Sequence, residues 1–256
     1  MANKSYKTLI IKIGSSTLTT ANGKLDLNNL KRIVTEAAQL VKEKKKVLIV
    51  TSAAIVSGSE KLGLGKPKSI PEKQAAAAVG QSLLMRQYEK AFEEYGITVA
   101  QVLLTGDTIT DSERSHNAKN CLKTLLNESV VPVINENDTV AVDEIKIGDN
   151  DDLAALTAKL IKADALIVLT DVDGFYMKNE EGIPYLADEI NEINWAVKNA
   201  AGHPSTQLGT GGMATKIQAA EICLGAGIDM LIINGRKPGL IQAAAAGERV
   251  GTRFVI

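Results

Sequence analysis

"TLIIKIGSST", residues 8–17, runs from six mainly apolar, β-branched residues into a glycine and three hydroxyls. An apolar run without polar alternation is how a strand reads when both faces of its sheet are covered, as in parallel sheets flanked by helices. Comparable runs recur as "VLIVT" (47–51), "ITVAQVLLT" (97–105), "VVPVIN" (130–135), "ALIVLT" (165–170) and "IDMLIIN" (228–234). Segments of helical period lie between most of them, the first carrying Leu27, Leu30, Val34 and Val41 behind a cap at Asp26. The alternation predicts an α/β chain built on a mainly parallel sheet.

Two segments, 139–148 and 171–186, alternate in polarity around turn residues and read as antiparallel excursions. The stretch 71–96 opens on proline and closes on glycine, as helices do. Its alanine-rich start and Gly80 would admit a second backbone, either inside the monomer or across a dimer contact. No repeat or linker divides the chain.

With 256 residues, 45% of them hydrophobic and a net charge of −1, the chain can bury a sizeable core and lacks the positive field of a general nucleic-acid binder. Lys42, Lys44, Lys45 and Lys46 end a helix, where cations complement the helix dipole. No stretch approaches the ~18 apolar residues of a membrane span, and no signal-peptide core follows the first methionine. Cys121 and Cys223 read as small core residues of a cytoplasmic protein, and Trp195 as a packing residue. His116 and His203 lack metal-ligand companions.

Five features carry chemistry. Lys12 interrupts an apolar strand and, if buried, needs an anion. Small residues and hydroxyls in "TSAAIVSG" (51–58) make a second turn at a strand end, with Ser52 placed to donate. "INENDTV" (134–140) and "GDNDDLAALTAKL" (148–160) gather acids and amides suited to a zwitterion, acids taking an ammonium and amides a carboxylate. Asp149, Asp151 and Asp152 read equally as first-turn acids on a helix dipole. Thr170 and Asp171 follow a strand, as nucleotide contacts or as a plain loop. "GTGGMATK" (209–216) looks like an anion cradle ending in Lys216, although it is neither a Walker A loop nor a Rossmann fingerprint. Two lysines on separate glycine turns, with acids nearby and no nucleophile pattern, point to phosphoryl transfer. A carboxylate acceptor is already ionised at neutral pH and needs no general base.

"KIGSST", "TSAAIVSG", "VPVINENDTVAVDEIKIGDNDDLAA", "LTDVDGFY" and "GTGGMATK" occur in the order found in the amino acid kinase family, which the whole chain resembles. The resemblance implies a three-layer αβα sandwich and a single kinase domain over 1–256, its N-terminal part holding the acceptor and its C-terminal part the nucleotide. It implies ATP-dependent phosphorylation of the side-chain carboxylate of L-glutamate, the first step of proline biosynthesis, with Mg²⁺ on the nucleotide. Ser52, Asp138 and Asn150 would hold glutamate. Lys12, Thr170, Asp171 and the loop Thr210, Gly211, Gly212, Met213, Ala214, Thr215 and Lys216 would hold ATP. Lys12 and Lys216 would stabilise the transferring phosphoryl group, with Asp151 organising them.

The same resemblance implies a homo-oligomer, proline as inhibitor, and delivery of product to glutamyl phosphate reductase. A kinase for another carboxylate and a non-catalytic sensor are the alternatives. Three departures stand out. Ala53 occupies a usual glycine position, "MKNEEGIP" replaces a usual aspartate-proline, and the chain stops at "GTRFVI" where many members continue into a PUA domain.

Overall fold

The computed structural model describes residues 5–141, 150–202 and 211–255. Its strands are β1 (Thr8–Ile13), β2 (Lys46–Val50), β3 (Val99–Leu104), β4 (Val131–Glu136), β5 (Ala165–Thr170), β6 (Tyr176–Lys178), β7 (Pro184–Leu186), β8 (Glu189–Ile190), β9 (Asp229–Asn234) and β10 (Thr252–Phe254). The helices are α1 (Ser15–Leu18), α2 (Leu27–Lys42), α3 (Ala54–Leu62), α4 (Ile70–Glu93), α5 (Gly106–Thr110), α6 (Ser112–Asn127), α7 (Asp151–Ile161), α8 (Trp195–Ala200), α9 (Gly211–Gly225) and α10 (Leu240–Ala245).

Eight strands form one sheet in the order β3-β4-β2-β1-β5-β9-β10-β8. Pairing is parallel from β3 through β9, and β10 turns antiparallel against β9. Strand β6 pairs with β7 in a separate antiparallel hairpin, so the second excursion forms as its alternation predicts. Of the first, residues 142–149 lie outside the described residues.

The chain winds outward from β1 on one side through β2 and on the other through β5, which makes the β1/β5 boundary the switch point of the sheet. In open α/β sheets ligands bind outside the carboxyl ends of strands at such a point. Residues alternate across the sheet. Leu9, Ile11 and Ile13 face one core layer with Ile33, Leu84 and Ile241 from α2, α4 and α10. Ile10 faces the other layer with Ala154, Ala158, Ala220 and Leu122 from α7, α9 and α6. Lys12 shares the parity of Ile10, which directs it toward the layer holding α7 and α9.

The small residues of α4 are spent within the chain. A Cβ on Gly80 would lie 1.8 Å from the Ala54 carbonyl oxygen, and one on Gly58 would lie 1.8 Å from that of Ala76. Helices α3 and α4 therefore touch backbone to backbone. The start of α4 is set by Ser69 and Glu72, which form a reciprocal capping box.

Two expectations fail. Cys121 is exposed, because α6 buries only Leu122 and Leu126 and carries Cys121 on its outer side. Cys223 is buried as expected, and burial pushes its thiol up to about 12. Trp195 is 77% exposed and packs in no core layer; it occupies the first residue of α8, whose single buried residue is Val197. Asp26 does cap α2, accepting from the Asn29 N–H.

Ala53, just before α3, has φ +79°, the left-handed region that an L side chain occupies at a cost of about 1–2 kcal/mol. The backbone turn explains why glycine fits this position. Ala53→Gly is expected to raise the melting temperature by about 2 °C, since part of the relieved strain returns as glycine entropy in the unfolded chain. Substrate preference should stay unchanged. A lower melting temperature would contradict the strain argument.

Candidate active site

Lys12 is fully buried, and its Nζ lies 2.8 Å from Asp151 Oδ1. Asp151 is the first residue of α7 and is itself fully buried, which a surface dipole contact does not explain. Its other oxygen, Oδ2, lies 3.0 Å from Lys216 Nζ on α9 and 3.0 Å from Thr215 Oγ1. Lys216 Nζ also donates to the Gly212 carbonyl at 2.9 Å, which ties the lysine to the turn that precedes it. One carboxylate thus separates two ammonium groups whose parent positions are 204 residues apart, taking 216 minus 12. Neighbouring Asp152 is exposed, as a first-turn acid on a helix dipole should be.

A cleft of about 330 Å³ opens beside the two lysines, between Gly14, Ser15 and Ser16 after β1 and Gly212 and Met213 of α9. Thr170 and Asp171, at the end of β5, line the same cleft, and Thr170 Oγ1 donates to Asp171 Oδ1 at 3.2 Å. Lys12, Thr170, Asp171, Gly212, Met213 and Lys216 therefore converge. Thr215 turns toward Asp151, and Ala214 lines an adjacent cleft with Trp195 and Gln218. Gly211 opens α9, and Thr210 lies outside the described residues.

Just after β2 and β4, and at the start of α7, polar groups are buried. Ser52, Asp138 and Asn150 are 1%, 5% and 1% exposed. Ser52 Oγ, Asp138 Oδ1 and Asn150 Oδ1 have no hydrogen-bond partner among the described residues. Buried polar atoms without partners cost free energy, so three of them near one strand edge mark a place for a polar ligand. Asp138 lines a second cleft, of about 320 Å³, with Glu136, Asn137, Gln81 and Gln101; Ser52 and Asn150 do not line it. Burial first, and the charge of Glu136 second, push the Asp138 carboxyl up to about 7.

Asn150 departs from the role expected of an amide. Its Nδ2 donates to the Thr51 carbonyl at 2.7 Å and to Asn135 Oδ1 at 2.8 Å, so both N–H groups are engaged by the protein. What remains is an acceptor, and a substrate carboxylate would find no donor there. Gln81 and Gln101 escape sequence reading altogether. A glutamine in an alanine-rich helix reads as surface, and the signal that would find it is a third-dimensional one, the hydrogen bond from Asn135 Nδ2 to Gln81 Oε1 at 2.9 Å.

Among the described residues no group of three or more His, Cys, Asp or Glu side chains is arranged to hold a metal ion. Nor is any helix among them long and apolar enough to cross a membrane.

Residues 7–234 match the amino acid kinase family. The chain is 48% identical to the glutamate 5-kinase of Clostridium tetani (strain Massachusetts / E88), over 98% of this chain and 95% of that protein. It is 49% identical to the glutamate 5-kinase of Thermoanaerobacter sp. (strain X514), over 96% of this chain and 67% of that one. Its fold resembles that of carbamate kinase from Giardia lamblia bound to AMP-PNP, with a TM-score of 0.69 at 19% identity, covering 98% of each chain. An isopentenyl phosphate kinase structure gives 0.65 at 20% identity, covering 97% of this chain and 100% of that one. With the match running over residues 7–234 and so across nine strands, the chain belongs to the amino acid kinase family.

Proposed function

We propose that the protein transfers the γ-phosphoryl group of ATP to the side-chain carboxylate of L-glutamate, giving ADP and L-glutamyl 5-phosphate, the first step of proline biosynthesis. The relatives named glutamate 5-kinase, aligned over nearly the whole chain, support the acceptor. The single observation that carries phosphoryl transfer is the Asp151 carboxylate held between Lys12 and Lys216 beside the glycine-lined cleft.

Lys12 and Lys216 bring two ammonium groups to the edge of the glycine-lined cleft, the complement of a polyphosphate. Lys12 and Lys216 are fixed before the nucleotide arrives, so they can offset charge on the transferring phosphoryl group without reorganising at the moment of reaction. The glycine turns supply N–H groups at close approach. The acceptor carboxylate attacks phosphorus as the anion it already is, and no proton need move. Mg²⁺ comes with ATP as part of that substrate, bound by the phosphates with few protein ligands. Asp138 and the Asn150 oxygen would take the ammonium of glutamate, and Ser52 would donate to its α-carboxylate. Proline as inhibitor at the glutamate site, a homo-oligomeric state, a cytoplasmic location and delivery of the labile acyl phosphate to a reductase complete the proposal.

Incubation with Mg–ATP, hydroxylamine and a panel of acids tests it, since an acyl phosphate is trapped as its hydroxamate. Product from glutamate is expected, and from N-acetylglutamate or aspartate at most a trace. Turnover of N-acetylglutamate with none of glutamate would overturn the acceptor.

Asp138 also gives a pH dependence. Its carboxyl is pushed up to about 7, and only the ionised form attracts an ammonium. Lowering the pH through that value removes the charge, so the KM for glutamate should rise about tenfold between pH ~8 and pH ~6. In Asp138→Asn the KM should be high throughout and its pH slope lost. An unchanged slope would assign the titration to another group.

A further inference from the structure

Four carboxamides stand in one hydrogen-bonded row behind the acceptor site. Asn150, capping α7, donates through Nδ2 to Asn135 Oδ1 at 2.8 Å. Asn135 of β4 donates to Gln81 Oε1 of α4 at 2.9 Å, and Gln81 Nε2 donates to Gln101 Oε1 of β3 at 3.1 Å. The two ends of an amide are alike in shape, so its orientation is decided by its partners. One partner in this row cannot be reversed. The Thr51 carbonyl only accepts, and it takes the Asn150 Nδ2 at 2.7 Å. That contact forces the NH₂ of Asn150 inward, its second N–H then requires the oxygen of Asn135, and the NH₂ of Asn135 in turn requires the oxygen of Gln81.

Every amide therefore points the same way, and such chains polarise their members cooperatively. At the head of the row Asn150 Oδ1 is left buried, without a partner among the described residues. A ligand group meeting that atom must be a hydrogen-bond donor.

We infer that Gln81 and Gln101 are positioning residues that hold Asn135, and through it Asn150, as a fixed acceptor for the ammonium of the acceptor substrate. The row makes a free amino group a requirement of the site. This rests on the reading of the chain as a glutamate kinase. Leucine at position 81 would leave the NH₂ of Asn135 without its buried acceptor. Asn135 would then stay unsatisfied or turn over and present NH₂ to the NH₂ of Asn150, and either outcome loosens the Asn150 oxygen.

The test compares glutamate with glutarate, which is glutamate without its amino group. In Gln81→Leu the KM for glutamate is expected to rise about tenfold, with the KM for ATP and the kcat within about twofold. The preference for glutamate over glutarate in kcat/KM should fall by the same factor, an effect that a general loosening of the fold would not produce. Gln81→Glu keeps an oxygen for Asn135 Nδ2, and the exposed Gln101 can turn to donate to it, so most of the preference should return. If Gln81→Leu loses its cooperative melt, Gln101→Leu at the exposed end carries the same readout, with a loss of preference of about threefold expected. An unchanged preference in a folded variant, or an equal rise in KM for glutamate and glutarate, would overturn the relay while leaving the activity standing. A wild-type protein that does not phosphorylate glutamate would overturn the activity, and the relay with it.

Discussion

Lys216→Ala should lower kcat by about 10²–10³-fold while leaving the KM for glutamate within about threefold. Lys216 Nζ lies 3.0 Å from Asp151 Oδ2 and borders the glycine-lined cleft, where a phosphoryl group in transfer would gather its charge. An interaction made more strongly with that transferring group than with bound ATP appears in kcat, not in the acceptor's KM. The fold should survive, because Asp151 keeps its ion pair with Lys12 at 2.8 Å. Lys12→Ala removes the opposite cation and should show a loss of the same order. A kcat within threefold of the wild type in a folded Lys216→Ala protein would end the assignment of this lysine to catalysis.

Asp151→Asn should behave in the opposite manner toward stability. The substitution removes the carboxylate that Lys12, at 0% exposed, and Lys216, at 7% exposed, both contact. Breaking a buried ionic group from one side in this way costs about 3–5 kcal/mol, because the charge left behind has no solvent to turn to. Urea denaturation should therefore show a lower midpoint with an unchanged slope. Tripolyphosphate, which brings its own negative charge to the two lysines, should recover part of the loss in Asp151→Asn and stabilise it more than it stabilises the wild type. A loss below about 1 kcal/mol would mean that the lysines separate when the carboxylate is gone, and that Asp151 does not organise them.

Much of this architecture was legible before any coordinate. Strands such as β1 and β5 announce themselves because a strand buried on both faces has no room for polar alternation. The hairpin of β6 and β7 was visible for the opposite reason, since none of its strand residues is fully buried and its polar and turn residues mark it off from the core strands. The short strands β8 and β10 were not, because, unlike β6 and β7, they are not joined by a turn into one longer alternating segment. Lys12 stood out as a charge inside an apolar run. The family resemblance names Asp151 as the acid between the lysines; the residues alone leave Asp151 and Asp152 equivalent, and α7 separates them by burying Asp151 and exposing Asp152. The αL turn at Ala53 and the direction of the Asn150 amide were beyond reach as well. Both are decided by backbone groups, Ala53's own φ and the Thr51 carbonyl, that a string of side-chain names does not record.

A carboxylate oxygen of glutamate is expected to attack the γ-phosphorus of ATP at this site. Glutamate labelled with ¹⁸O in its side-chain carboxylate tests it directly. After turnover with Mg–ATP, hydroxylamine attacks the acyl carbon, and the phosphate released keeps the oxygen that bridged carbon and phosphorus. One ¹⁸O in each phosphate is the predicted result; ADP accompanied by unlabelled phosphate would show that water, not glutamate, was the acceptor.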